Sequence, residues 1–210
     1  MNSKPDVSTP RGSYRHGDLR RSLLEAGIAM ARQGGPGAVV LREATRQAGV
    51  VPNAAYRHFA SQQALLQAVR EHALSAAAAM MEAELARIPA TLPPSDAARA
   101  ALKSVGRAYL RFAHAEPGLF HTAFAVQVEA EAAPVPDPAP SPFQLLGAAL
   151  DRFVAAGILP PARRPGAEYL AWSAVHGLAL LVTDGPLHKM AAADREAIEE
   201  RLLDMVEKGL

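Results

Sequence analysis

The chain has 210 residues, half of them hydrophobic and a fifth charged, with 22 basic against 21 acidic residues. That composition excludes intrinsic disorder, which needs low hydrophobicity and high net charge. A whole-chain charge of +1 also gives nucleic-acid phosphate little to attract, unless the average hides two opposite halves. There is no cysteine, so disulfides, thiolate metal sites and a cysteine nucleophile are excluded.

In chain order almost every segment carries a helical pattern. No sustained period-two alternation points to a sheet, so the expected fold class is all-α with about nine helices. Residues 1–13, polar with two prolines, read as a loose basic tail. Asp18 is placed to cap a helix to about Gln33, with Leu19, Leu23, Ala26 and Met30 on one face. Gly34, Gly35, Pro36 and Gly37 stop it.

Two short helices follow, Leu41 to Ala48 and Pro52 to His58, separated by Gly49, a residue suited to a left-handed turn. Ser61 is an N-cap for a long helix through about Ile88, with Leu65, Leu66, Val69, Ala73 and Ala76 inward. Asp96 is placed to cap the next helix, which ends near Glu116, Pro117 and Gly118. A shorter helix runs from about Leu119 to Val128. Alternating prolines at 134, 136, 138, 140 and 142 make an extended connector. Further helices span about Phe143 to Ala156, Gly166 to Thr183 and Ala192 to Lys208.

The start of the chain has no apolar stretch of a secretory signal. The longest apolar windows, 73–81 and 178–182, fall short of the roughly 20 residues that span a bilayer. A cytoplasmic location without membrane contact is expected.

The charge is unevenly placed. Residues 1–60 hold nine basic and four acidic residues, a balance of +5, and residues 61–210 hold thirteen basic and seventeen acidic, a balance of −4. A basic head on an acidic body suggests that one end faces an anion. Two short helices joined by a glycine-containing turn, after a longer helix, describe a helix-turn-helix. In such a reader the second helix enters the major groove while the first crosses the phosphate backbone, and Arg42 and Arg46 stand at i and i+4 on the first. A structural αα turn shares the same spacing.

The run LREATRQAGVVPNAAYRHFASQQALL resembles the N-terminal domain of the tetracycline-repressor (TetR) family. The likeness is carried by Leu41, Arg42, Glu43, Ala48, Gly49, Val50, Ala55, Tyr56 to Phe59, and Ala64 to Leu66. YRHGDLRRSLLEAG looks like the opening of one subgroup. WSAVHGLALL, with Trp172, His176 and Gly177, looks like the Trp-His-Gly type of C-terminal ligand domain. The resemblance implies a DNA-binding transcriptional regulator. It would be a ligand-responsive repressor, binding a palindromic double-stranded operator as a homodimer and associating with the nucleoid.

By the same likeness, residues 14–60 form the DNA-binding domain and residues 61–210 the ligand-binding and dimerisation domain. Pro52, Asn53, Ala54, Tyr56, Arg57 and His58 fall on the recognition helix. Tyr56 would meet a phosphate or base, or else be a core phenol. His58 would meet a phosphate. Arg57 would meet DNA or water. Asn53 could read adenine through its amide or face solvent. Phe59 fills the core beneath the motif.

Three residues depart from the family pattern: Val40 stands where Ser or Thr would cap the first motif helix, Val51 where Ser would precede the recognition helix, and Gln62 where Lys would grip phosphate. A lost cap costs about 1 kcal/mol, and a lost phosphate contact lowers the salt slope by about one unit. Arg11, Arg15, His16, Arg20 and Arg21 could compensate as an N-terminal arm, or form a solvated tail.

In the second half, Tyr109, Phe112, Phe120, Phe124, Trp172 and His176 among alanine and leucine suit a pocket for a small apolar or amphipathic effector. Phe143, Phe153 and Tyr169 add to the same aromatic content. Trp172 and His176 share a helix face, and His176 either bonds a ligand or is a satisfied core histidine. The small residues Ala171, Ser173, Ala174, Gly177 and Ala179, with Ile198, Leu202, Leu203, Met205 and Val206 of the last helix, could form a four-helix dimer interface or pack within the chain. No metal spacing, phosphate-binding glycine loop or nucleophile elbow occurs. The carboxylates read as solvated, and no cofactor and no enzymatic activity are expected. The alternative function is a helical small-molecule or haem-binding protein whose N-terminal hairpin is only structural.

Overall fold

A computed structural model describes residues 16–125 and 140–210. Its described residues form nine α-helices and no strand, as the missing period-two pattern requires. In order they are α1 (His16–Gly34), α2 (Leu41–Gln47), α3 (Pro52–Tyr56), α4 (Gln62–Leu85), α5 (Pro94–Ala115), α6 (Pro117–Phe124), α7 (Pro142–Ala155), α8 (Ala167–Thr183) and α9 (Ala192–Gly209). Short 3₁₀ turns stand at 36–38 and 161–163. Helix α6 ends at Phe124, with Ala125 already extended, rather than running on to Val128 as expected. The tail at 1–13, the arm residues Arg11 and Arg15, and the connector prolines 134, 136 and 138 lie outside the described residues.

Capping explains where several helices begin. The Ser61 hydroxyl accepts the Ala64 N–H at 3.1 Å and starts α4. Ser141 and Gln144 form a reciprocal capping box at α7, satisfying two N–H groups that a helix start otherwise leaves orphaned. Two expected caps are corrected. The first helix already begins at His16, so Asp18 lies inside it. Asp96 sits within the first turn of α5 behind an N-cap at Pro93, because Pro94 fills the first helical position without wasting a hydrogen bond.

Packing forms a small head, α1–α3, on a bundle of α4–α9, with one continuous buried core. Helix α4 serves both: it packs against α1 and also against α5, α6 and α7. Leu65, Val69, Ala73, Ala77 and Met81 mark its buried stripe. The head is also seated on α6. A Cβ on Gly118 would lie 2.1 Å from the Ala31 carbonyl oxygen of α1, so only glycine lets these backbones meet so closely. Beside that contact the Arg32 Nε donates to both Glu116 carboxylate oxygens, at 3.1 and 3.0 Å.

Ion pairs assist the docking of α9 on α5, which corrects the expectation of solvated carboxylates. Arg99 pairs with Glu207, Lys103 with Asp204 (2.5 Å) and Glu207 (3.1 Å), and Arg107 with Glu200 (2.5 Å). His114 meets Glu199 at 2.6 Å. Arg99, Lys103 and Arg107 recur every four residues, with His114 two turns on, so they line one helix face, and α9 supplies the matching acidic face. Burial pushes the Glu207 carboxyl up, but Arg99 and Lys103 outweigh it and hold it below the usual carboxylate range.

Candidate functional site

The head folds as a short two-helix unit whose turn follows from its residues. After Ala48 the chain takes a left-handed conformation at Gly49, φ +67°. The Gly49 N–H reaches the Arg46 carbonyl and the Val50 N–H reaches the Thr45 carbonyl, which is the Schellman pattern that glycine permits. Neither Val40 nor Val51 makes a side-chain cap. Pro52 starts α3 instead, and α3 is shorter than expected, ending at Tyr56 rather than His58.

Burial divides this unit into an inner and an outer face. Leu41, Ala44, Thr45, Ala55 and Phe59 are buried. The Arg20 guanidinium of the expected arm stacks over the Phe59 ring at 5.1 Å, and Arg21 lies 3.4 Å from Glu25. Outward stand Val51 at 70% and Tyr56 at 57% exposure, with Arg42, Pro52, Asn53 and Arg57 also exposed and Ala54 and His58 half-buried. The core alternative for the Tyr56 phenol is therefore set aside. Arg46 is exposed but engaged: its Nε and Nη2 donate to the two Glu43 oxygens at 2.9 and 2.6 Å. Hydrogen bonds from Arg46 and Gln47 hold the Glu43 carboxyl down at about 2.

The bundle holds a half-open cavity of about 430 Å³, walled by α4, α5, α7, α8 and α9 and the end of α6. Of the expected residues, Tyr109, Phe124 and Trp172 stand on its wall. Phe112 and Phe120 do not; both are fully buried core residues, and the Phe120 ring packs edge-on against Tyr109. His176 stands behind the wall, where its Nδ1 meets the Tyr109 hydroxyl at 2.7 Å. The Trp172 Nε1–H donates to the same oxygen at 3.1 Å. Burial, and then the nearby His121, push the His176 imidazole down, while burial pushes the Tyr109 phenol up. Both shifts favour the uncharged forms, and the phenol and the imidazole share one hydrogen bond.

Several wall residues were not singled out by the sequence: Arg70, Leu74, Met81, Lys103 and Leu146. Arg70 carries the one available signal, since it stands at helical spacing with Leu74 and Met81, a charge on an otherwise apolar stripe. Among the described residues no cluster of three or more potential metal ligands occurs, and no helix is long and apolar enough to cross a membrane.

A helix-turn-helix head on a cavity-bearing helical bundle defines a class of regulator, and comparison with known proteins places the chain within it. Residues 23–69 match the bacterial regulatory proteins of the tetR family, and residues 102–206 match the tetracyclin repressor-like C-terminal domain. The chain belongs to the TetR family of transcriptional regulators.

Among solved structures, it is similar to a protein of unknown function from Rhodococcus sp. RHA1, with 26% identity and a TM-score of 0.69 over 94% of this chain and 97% of that one. The regulator FadR from Bacillus subtilis, solved with stearoyl-CoA, shares the fold at 13% identity and a TM-score of 0.66, covering 90% of this chain and 98% of that one. The TetR-family regulator PfmR from Thermus thermophilus shares it at 20% identity and a TM-score of 0.55, covering 90% and 98%. No curated protein matches the chain.

Proposed function

We propose that the protein is a cytoplasmic, nucleoid-associated repressor that binds a palindromic operator as a homodimer and responds to a small effector held in the bundle cavity. The observation that carries this reading is the two-faced α3: Ala55 and Phe59 anchor it while Tyr56 and Asn53 stand outside on the same short segment. Asn53, Tyr56 and Arg57 would reach the major groove, with Pro52, Ala54 and His58 completing the reading helix and Arg42, Arg46 and Arg15 meeting phosphate. A carrier with a purely structural hairpin gives no reason for a large phenol exposed at that position.

Residues 14–60 would act as the reading head and 61–210 as the effector and dimerisation unit. The dimer would form through α8 and α9. Leu170 is 68% and Met205 58% exposed, and a Cβ on Gly177 would meet nothing within 4 Å. Ala171, Ala179, Leu203 and Val206 pack within the chain, but no described residue covers Leu170, Gly177 and Met205, and a second copy would cover them.

In vitro selection from random duplexes tests the function. A recovered inverted repeat, bound with steep salt dependence, is expected; salt-independent binding, or no enriched sequence, overturns it.

A further inference from the structure

The cavity wall states which ligand chemistry it lacks. Most of the wall is apolar, and its polar groups are largely satisfied. The Tyr109 hydroxyl is hydrogen-bonded to His176 Nδ1 and accepts from Trp172. Lys103, the second cation on the wall, is neutralised by Asp204 and Glu207. The Ser141 hydroxyl accepts the Gln144 N–H and keeps its own proton to donate.

Arg70 differs from these. It is a half-buried cation whose Nε donates to the Ala123 carbonyl at 2.9 Å. No carboxylate pairs with it among the described residues. Its Nε bond leaves the two terminal nitrogens, and in an apolar surrounding an unpaired charge is costly. A guanidinium presents a planar set of donors that suits a carboxylate.

We propose that the effector is an amphipathic monoanion, with an apolar body against Leu74, Met81, Leu102 and Val175 and a carboxylate on the terminal nitrogens of Arg70. This rests on the cavity being the effector site. A volume of about 430 Å³ holds about 14 water-sized groups at roughly 30 Å³ each, and decanoate, with about a dozen nonhydrogen atoms, falls within that size.

The protein carries its own reporter. Trp172 is its single tryptophan and stands on the wall. The full chain is titrated at submicellar concentration with decanoate, decan-1-ol and decyltrimethylammonium, following tryptophan fluorescence. Decanoate is expected to bind at least about tenfold more tightly than the alcohol, since a charged hydrogen bond is roughly twice as strong as a neutral one. The ammonium compound is expected to bind most weakly. Arg70→Gln is expected to bring decanoate down to the affinity of the alcohol.

Equal affinities of acid and alcohol for the native protein overturn the anion proposal and leave an effector cavity standing. Absence of binding by all three overturns the cavity reading as well. Should Arg70→Gln not fold, the acid-to-alcohol ratio of the native chain decides.

Discussion

Tyr109 on α5 and His176 on α8 are joined by a 2.7 Å hydrogen bond, and Trp172, one turn before His176, donates to the same phenol oxygen. The Trp-His pair at i, i+4 therefore serves to hold one tyrosine. Tyr109→Phe keeps the ring but strands two half-buried polar groups, Trp172 Nε1 and His176 Nδ1, and leaving such groups unpaired costs up to about 1–3 kcal/mol. Urea unfolding at neutral pH is expected to show a loss in that range, and an unchanged midpoint would separate the network from stability.

The same histidine gives stability a pH dependence. Its folded value is depressed, so the unfolded chain binds the extra proton. The stabilisation is whole above the unfolded value of about 6.5 and is lost as pH falls through the folded value. Thermal unfolding followed downward from pH 8 is expected to show a declining melting temperature below about 6.5, less steep in His176→Gln. Part of the slope remains in that variant, because burial depresses His72 as well.

Gly118 and Gly177 make a matched pair of substitutions. Alanine at Gly118 would drive a methyl into the backbone of α1, and overpacking of that kind costs about 1–3 kcal/mol. Alanine at Gly177 meets open space and gains helix propensity of up to about 1 kcal/mol. Calorimetry on the two variants, each made in a chain also carrying Leu170→Glu and Met205→Glu so that no partner covers Gly177, is expected to move in opposite directions.

Arg46 is held by Glu43 on the outer face of α2. Glu43→Gln removes the competing carboxylate and frees the guanidinium for phosphate. Gel-shift titrations at several salt concentrations are expected to give tighter binding to all sequences and a salt slope steeper by about one unit. Asn53→Ala is expected instead to relax preference at one base pair.

The exposed apolar residues of α8 and α9 bear on the oligomer. Light scattering on the native chain should return about twice the chain mass. Leu170→Glu combined with Met205→Glu should return a monomer that still folds, because neither side chain contributes to the core. A native monomer at micromolar concentration would remove the symmetric two-head mechanism.

The sequence by itself determined the helices and the reading head. Apolar residues recurring on one face, prolines and glycines at boundaries, and the residues from Ala48 to Phe59 are local signals, and the nine helices stand close to where those signals put them. It missed where local chemistry offered two answers. Asp18 and Asp96 are good caps, but helix starts upstream took their places.

Only the tertiary structure decided which aromatic residues face a cavity and which fill a core. Phe120 and Phe124 are four residues apart on α6, yet one is buried among its neighbours and the other lines the cavity. Spacing cannot separate them, because the empty volume is set by how six helices fail to meet. The same holds for Arg70 and Gly118: their meaning lies in a carbonyl and a helix backbone that folding brings beside them.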